Sequence, residues 1–217
     1  LVEISNICSN LKKKLVYTST SEIYGKSNQT PFVEEGDRLY GTTMKSRWCY
    51  ATSKSLAEHY IYGLNQTKKL EYIIFRLFNI YGPNLKGRVI DTFISNALKN
   101  EDLIINGSGN QTRCYTYIDD CIKGFYLTIF GCQVKNETFN IGNRTPVSVN
   151  TLAKLIIKLT KSNSKIIKYD KSNKHKGYED IQKRIPDVKK IKKLVNWEAS
   201  TNLKEGLVKM LKAYEKV

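Results

Sequence analysis

The chain has no initiator methionine, no apolar run long enough to span a bilayer, and no Cys-x-x-Cys pair. Without such a run no membrane partner is expected. The opening Leu1-Val2-Glu3-Ile4-Ser5-Asn6 lacks the basic and apolar regions of a signal peptide, and it reads as the interior of a longer protein. Cysteine is sparse and odd in number, 5 in 217 residues, which argues against a disulfide framework. Free thiols fit a reducing, cytoplasmic setting. Only 2 histidines occur, His59 and His175, and neither sits in a ligand-like cluster, so no metal is expected. Triplets such as Asn28-Gln29-Thr30 read as chance matches to a glycosylation signal in an Asn-rich chain.

Positive charge, by contrast, is plentiful: the net charge is +16. Half of it is late, because residues 154–217 hold 18 of the 36 Lys+Arg. Most of these lysines stand singly, as on solvated helix faces, so no nucleic-acid partner is expected. A phosphate-bearing small substrate suits the same charge. A basic nucleic-acid-binding or scaffold protein is the rival from another class.

Leu15–Ser19 reads as a short buried strand that runs into polar Thr20, Ser21 and Glu22 and closes at Gly25. Residues 26–46 carry no apolar period and read as a long excursion. A helix over 47–65 follows, with Leu56, Tyr60 and Leu64 expected on its core face. Residues 71–79 form the next strand. Further helices are expected over 89–100, 121–130 (capped by Asp119-Asp120), 149–160 (capped by Ser148), 188–194 and 203–215. Strands are expected at 103–105, 112–118, 138–142 and 166–169, and Trp197 is placed at an interface. Alternating strands and helices in the first half imply a parallel sheet covered on both faces.

Within the first long helix, Tyr50-Ala51-Thr52-Ser53-Lys54 places a phenol and an ammonium on one helical face. Tyrosine ordinarily titrates near ~10, and a nearby positive charge favours its phenolate, which makes a plausible base. In a chain with 14 Tyr the pair alone is weak. Its neighbours change that. Ser19-Thr20-Ser21-Glu22-Ile23-Tyr24-Gly25, Tyr50-x-x-x-Lys54, Arg76-Leu77-Phe78-Asn79-Ile80-Tyr81-Gly82-Pro83, Asn106-Gly107-Ser108-Gly109-x-x-x-Arg113 and Phe139-Asn140-Ile141-Gly142 occur in this order.

Together, over nearly the whole chain, they resemble the extended short-chain dehydrogenase/reductase family, the NAD-dependent nucleotide-sugar epimerases, dehydratases and decarboxylases. Ser21-Glu22 after Thr20, the stretch Ser46–Tyr50, and Gly177-Tyr178-Glu179-Asp180-Ile181-Gln182-Lys183-Arg184-Ile185-Pro186-Asp187 resemble the UDP-glucuronate decarboxylase branch. GDP-mannose dehydratases also carry a Ser-Glu pair, so dehydratase and epimerase remain alternatives. Leu77 stands where the family often has Pro. The family's G-x-x-G-x-x-G loop is not in this sequence; the resemblance places it upstream of Leu1 and implies a fragment that would bind NAD poorly alone.

The resemblance implies a partial Rossmann-like doubly wound parallel sheet with a smaller α/β substrate lobe. Residues 1–83 would complete the NAD domain and 84–217 would form the lobe, with a return to the sheet around 110–145. It implies that Tyr50, Lys54 and Phe78 meet NAD. It implies that Thr20, Ser21, Glu22, Tyr50, Lys54 and Arg184 do the chemistry, with Arg184 and Glu22 around the carboxylate. Arg88 and Arg113 would clamp the diphosphate of a UDP-sugar, with Asn79, Arg47 and Tyr178 as further substrate contacts. A homodimer through the Tyr50 helix is also implied.

Overall fold

The computed structural model describes residues 1–169 and 181–214. Its centre is β2, Tyr72–Leu77, buried at five of six positions. Such a strand, apolar on both sides, needs cover on both faces. On one edge lies β1, Leu15–Thr20, parallel and in register from Leu15↔Tyr72 to Thr20↔Leu77. On the other lies β7, Glu137–Ile141, also parallel. Three parallel strands therefore end at one rim, and Ser21, Phe78 and Gly142 leave the sheet there.

Helix α1, Val2–Asn10, leads into β1. After β1 comes one 3-10 turn, Ser21–Tyr24. Gly25 closes it at φ +62°, where a Cβ would lie 2.0 Å from the Leu39 carbonyl oxygen, so only glycine fits. The excursion 26–46 forms no named helix or strand; single bridges hold its Leu39 to Gly25 and its Phe32 to Pro186.

Helix α2, Arg47–Lys68, crosses back to the sheet. Its buried stripe is Trp48, Ala51, Ser55, Glu58, Ile61 and Leu64. Leu56, expected in the core, is 67% exposed. A carboxylate, Glu58, takes the inward place because Arg76 meets it there (2.7 Å), which apolar periodicity cannot reveal.

A second cluster gathers under the rim. It is built from β3 (Ile80–Tyr81) paired with β6 (Thr116–Tyr117), β4 (Leu103–Asn106) paired with β9 (Ile166–Tyr169), α3 (Val89–Leu98), α5 (Val149–Thr160) and α7 (Leu203–Tyr214). Phe93, Ile94, Leu152, Ile156, Leu207 and Met210 are its buried centre. β5, Thr112–Cys114, runs antiparallel to β8, Pro146–Ser148. The single strand expected over 112–118 thus breaks at Tyr115 into two strands with different partners.

Helix α4, Ile118–Tyr126, starts earlier than expected: Tyr117 is its N-cap, and Asp119 and Asp120 lie in the first turn without capping it. Asp120 instead accepts from Ser200 Oγ (3.1 Å) and Thr201 N (2.9 Å). Ser148 does cap α5, accepting from Thr151 N at 3.0 Å. Helix α6, Lys189–Val195, and Trp197 cover the sheet face that carries Phe75 and Phe139. Trp197 is 1% exposed and donates from Nε1 to the Asp120 carbonyl (2.9 Å). No helix among the described residues is long and apolar enough to cross a membrane.

Candidate active site

At the rim where the three strands end, a cavity of about 770 Å³ opens between sheet and lower cluster. Its described lining includes Thr20, Ser21, Glu22, Arg47, Tyr50, Asn79, Arg88, Arg113 and Arg184. The topology brings them there: β1 ends at Thr20, α2 begins at Arg47, β2 ends two residues before Asn79, Arg88 stands immediately before α3, Arg113 is in β5, and Arg184 precedes α6.

Glu22 is the electrostatic pivot. Arg184 Nη1 lies 2.7 Å from its Oε1 and Arg47 Nη2 lies 3.1 Å from its Oε2. Burial alone would raise the Glu22 carboxyl; Arg184 and Arg47 outweigh it and hold the group below the usual carboxylate range. Arg184 is 4% exposed, and burial lowers its value against the opposing pull of Glu22. Its Nε and Nη2 meet no acceptor among the described residues. A buried guanidinium with half its fork unmet suits a carboxylate or phosphate ligand.

Thr20 Oγ1 accepts from Glu22 N (3.2 Å), which leaves its hydroxyl proton able to donate. Tyr50 stands half exposed at the mouth. Lys54, one turn on, is anchored rather than loose: Nζ donates to the Thr18 carbonyl (2.8 Å) and sits 4.7 Å above the Tyr17 ring. Burial draws its ammonium below the ordinary value, against the pull of Glu58.

Arg113 Nη1 donates to the carbonyls of Thr112 (2.8 Å) and Ile181 (2.7 Å). Asn79, at φ +43°, donates from Nδ2 to the Cys114 carbonyl (3.2 Å). Lys54 and Phe78 are not in the lining. Phe78 is fully buried with Ile23, Tyr24 and Phe32. Tyr178 lies outside the described residues.

Sequence reasoning gave no role to Ser19, Tyr81, Asn106, Gln111 and Tyr115, which also line the cavity. Ser19 Oγ and Tyr115 Oη are buried without a partner among the described residues. A buried orphan hydroxyl is a signal only coordinates provide. No cluster of three or more His, Cys, Asp or Glu among the described residues could hold a metal.

Residues 1–210 match the profile of the family described as GDP-mannose 4,6 dehydratase. A UDP-N-acetyl-alpha-D-glucosaminuronate decarboxylase of Bacillus cytotoxicus is 39% identical over 95% of this chain and 65% of its own length. UDP-glucuronic acid decarboxylase 1 of Xenopus tropicalis is 34% identical over 94% of this chain and 47% of its own. Thermotoga maritima UDP-glucose 4-epimerase, solved with UDP-glucose, superposes with a TM-score of 0.87 at 26% identity, over 99% of this chain and 68% of that one. The chain thus spans about two thirds or less of the decarboxylases it matches.

Proposed function

This chain belongs to the GDP-mannose 4,6 dehydratase family, within the extended short-chain dehydrogenase/reductases, and from that premise we propose that it carries the substrate side and the base of an NAD-dependent UDP-glucuronate decarboxylase. The observation that carries the reading is the charge of the cavity. Four guanidiniums and one carboxylate line it among the described residues. The surplus complements the roughly three negative charges of a nucleoside-diphosphate sugar acid. Both decarboxylase relatives are named for UDP-linked uronates.

Tyr50 takes the proton of the sugar 4-hydroxyl, and Thr20 donates a hydrogen bond beside it. Lys54, fixed on the Thr18 carbonyl, supports the phenolate. NAD, when bound, supplies the acceptor for the hydride from carbon 4. Residues suited to its nicotinamide end, Tyr50 and Lys54, stand at the β1 rim, where the orphan Ser19 hydroxyl also lies; the adenosine end has no counterpart among the described residues. The 4-keto acid so formed is a β-keto acid: the C–CO2 bond breaks, its electrons pass to the ketone as an enolate, and carbon 5 is reprotonated. Arg184 holds the carboxylate with Glu22 and Ser21 at its side. Arg88, Arg113 and Asn79 receive the diphosphate, with Arg47 as a further contact.

Two further readings accompany this one. A homodimer forms through α1 and α2, whose outer faces expose Val2, Ile4, Ile7 and Leu56. A cytoplasmic setting fits five free cysteines.

The test is carbon dioxide release in the whole protein with NAD and UDP-glucuronate, or its 2-acetamido counterpart. Release from either supports decarboxylation. Consumption of substrate without carbon dioxide points to an epimerase, and turnover of neutral UDP-hexoses that ignores Arg184→Met points to a dehydratase or epimerase.

A further inference from the structure

Between β3 and α3 the chain turns through residues 82–88, and Leu85, Gly87 and Arg88 of that turn line the cavity with Val89 and Ile90 of α3. Arg88 is exposed, and its side chain has no partner among the described residues. Where its guanidinium can reach is therefore set by its backbone. Two bonds fix that backbone. Thr92 N donates to the Arg88 carbonyl at 2.9 Å, which is the ordinary first bond of the helix. Gly87, at φ +70°, donates its N–H to Asp91 Oδ2 at 2.8 Å. Asp91 stands in the first turn of α3 and reaches back past the helix start, much as the acid of a capping box does.

The other oxygen of Asp91 is also taken. Tyr214, the last residue of α7, donates from Oη to Asp91 Oδ1. The first residue of α7 meets a second lining residue, because Tyr81 Oη donates to the Leu203 carbonyl (3.4 Å). Between them Leu207 and Met210 pack into the cluster that holds Phe93. Helix α7 thus braces this wall from behind, at both of its ends.

A carboxylate is a costly choice for such a wall, since its charge alone would disfavour a diphosphate. We propose that Asp91 is a positioning residue for Arg88: it holds the Gly87–Arg88 corner, and is itself held by the Tyr214 hydroxyl, so that the guanidinium is presented to the diphosphate. Helix α7 thereby enters substrate binding without touching substrate. The proposal rests on the reading of Arg88 as a diphosphate contact.

Calorimetry with UDP on the whole protein tests it. Asp91→Ala removes both bonds and should weaken UDP binding roughly three- to tenfold, about the worth of one hydrogen bond. Charge alone predicts the opposite sign, because an anion has left the wall. In Asp91→Asn the amide oxygen can still accept from Gly87 and the amide nitrogen can donate to Tyr214, so affinity should return to near the wild-type value. In an Arg88→Met background Asp91→Ala should have little further effect, whereas a purely structural cap would subtract equally with or without Arg88. Unchanged or tighter binding in Asp91→Ala, no rescue by Asp91→Asn, or equal losses in both backgrounds overturns the proposal. Should Asp91→Ala not fold, Tyr214→Phe decides: a loss present with Arg88 and absent without it supports the inference, and any other result removes it. NMR of the glycine amides is run beside it. The Gly87 amide proton should shift in Asp91→Ala and keep its place in Asp91→Asn. A wild type that ignores UDP sinks the proposed function, while the Gly87 signal still judges whether Asp91 holds the corner.

Discussion

Tyr50 projects from a helix whose next inward positions, Ala51 and Ser55, are buried. Its phenol is exposed because it sits where the cavity meets solvent. Tyr50→Phe in the whole protein is expected to abolish reduction of NAD by UDP-glucuronate and to leave UDP affinity within a few-fold; unaltered turnover would remove the base assignment. Glu22 offers a pH test. Its folded-state value is depressed by Arg184 and Arg47 despite burial. Its contribution to stability is therefore present above the ordinary carboxylate value and lost as pH falls through the depressed one. Glu22→Gln should cost roughly 1–3 kcal/mol near neutrality, since a buried cation loses its charged partner, and the gap should close in acid. Thermal melts of both proteins across that range check it. The sequence read Thr20, Glu22, Tyr50 and Arg184 into one site, although 162 residues separate the paired Glu22 and Arg184. It could not read Glu58 or Arg76: a mid-helix acid and a mid-strand arginine look solvated until a fold brings them together.

Helices and strands with a clear apolar period were legible as elements, and capping decided where reading failed. Ser148 behaves as a cap, but Asp119-Asp120 does not, because Asp120 is taken by Ser200 and Thr201 from 80 residues away. Likewise the 112–118 alternation hides a change of partner, from β8 to β3. Two glycines give opposite expectations at this scale. In α7, a Cβ on Gly206 would lie 2.0 Å from Tyr81 Oη, so Gly206→Ala should destabilise by roughly 1–3 kcal/mol through overpacking. In α2, a methyl group added at Gly63 would meet nothing within 4 Å, so Gly63→Ala should stabilise by about 0.5–1 kcal/mol. Chemical denaturation measures both, and Tyr81→Phe should recover part of the Gly206→Ala loss.

Across the whole molecule, basic residues are spread over its surface, whereas the arginines of the cavity converge. The net charge therefore says less about the ligand than does its local arrangement. UDP-glucuronate should bind more tightly than UDP-glucose, and the preference should vanish in Arg184→Met. Calorimetry at two ionic strengths checks this, with both affinities falling as salt rises. Equal affinities in the wild type would break the link between Arg184 and the sugar acid.

The cavity wall draws on side chains from residue 19 to residue 184, so segments far apart in the chain must stay folded together to keep it. Occupancy and global unfolding are thus thermodynamically linked. A nucleotide at a hundred times its dissociation constant should stabilise the chain by about 2.7 kcal/mol. It should delay melting of sheet and lower cluster together, which makes a simple heat scan a sensor for whatever the pocket prefers.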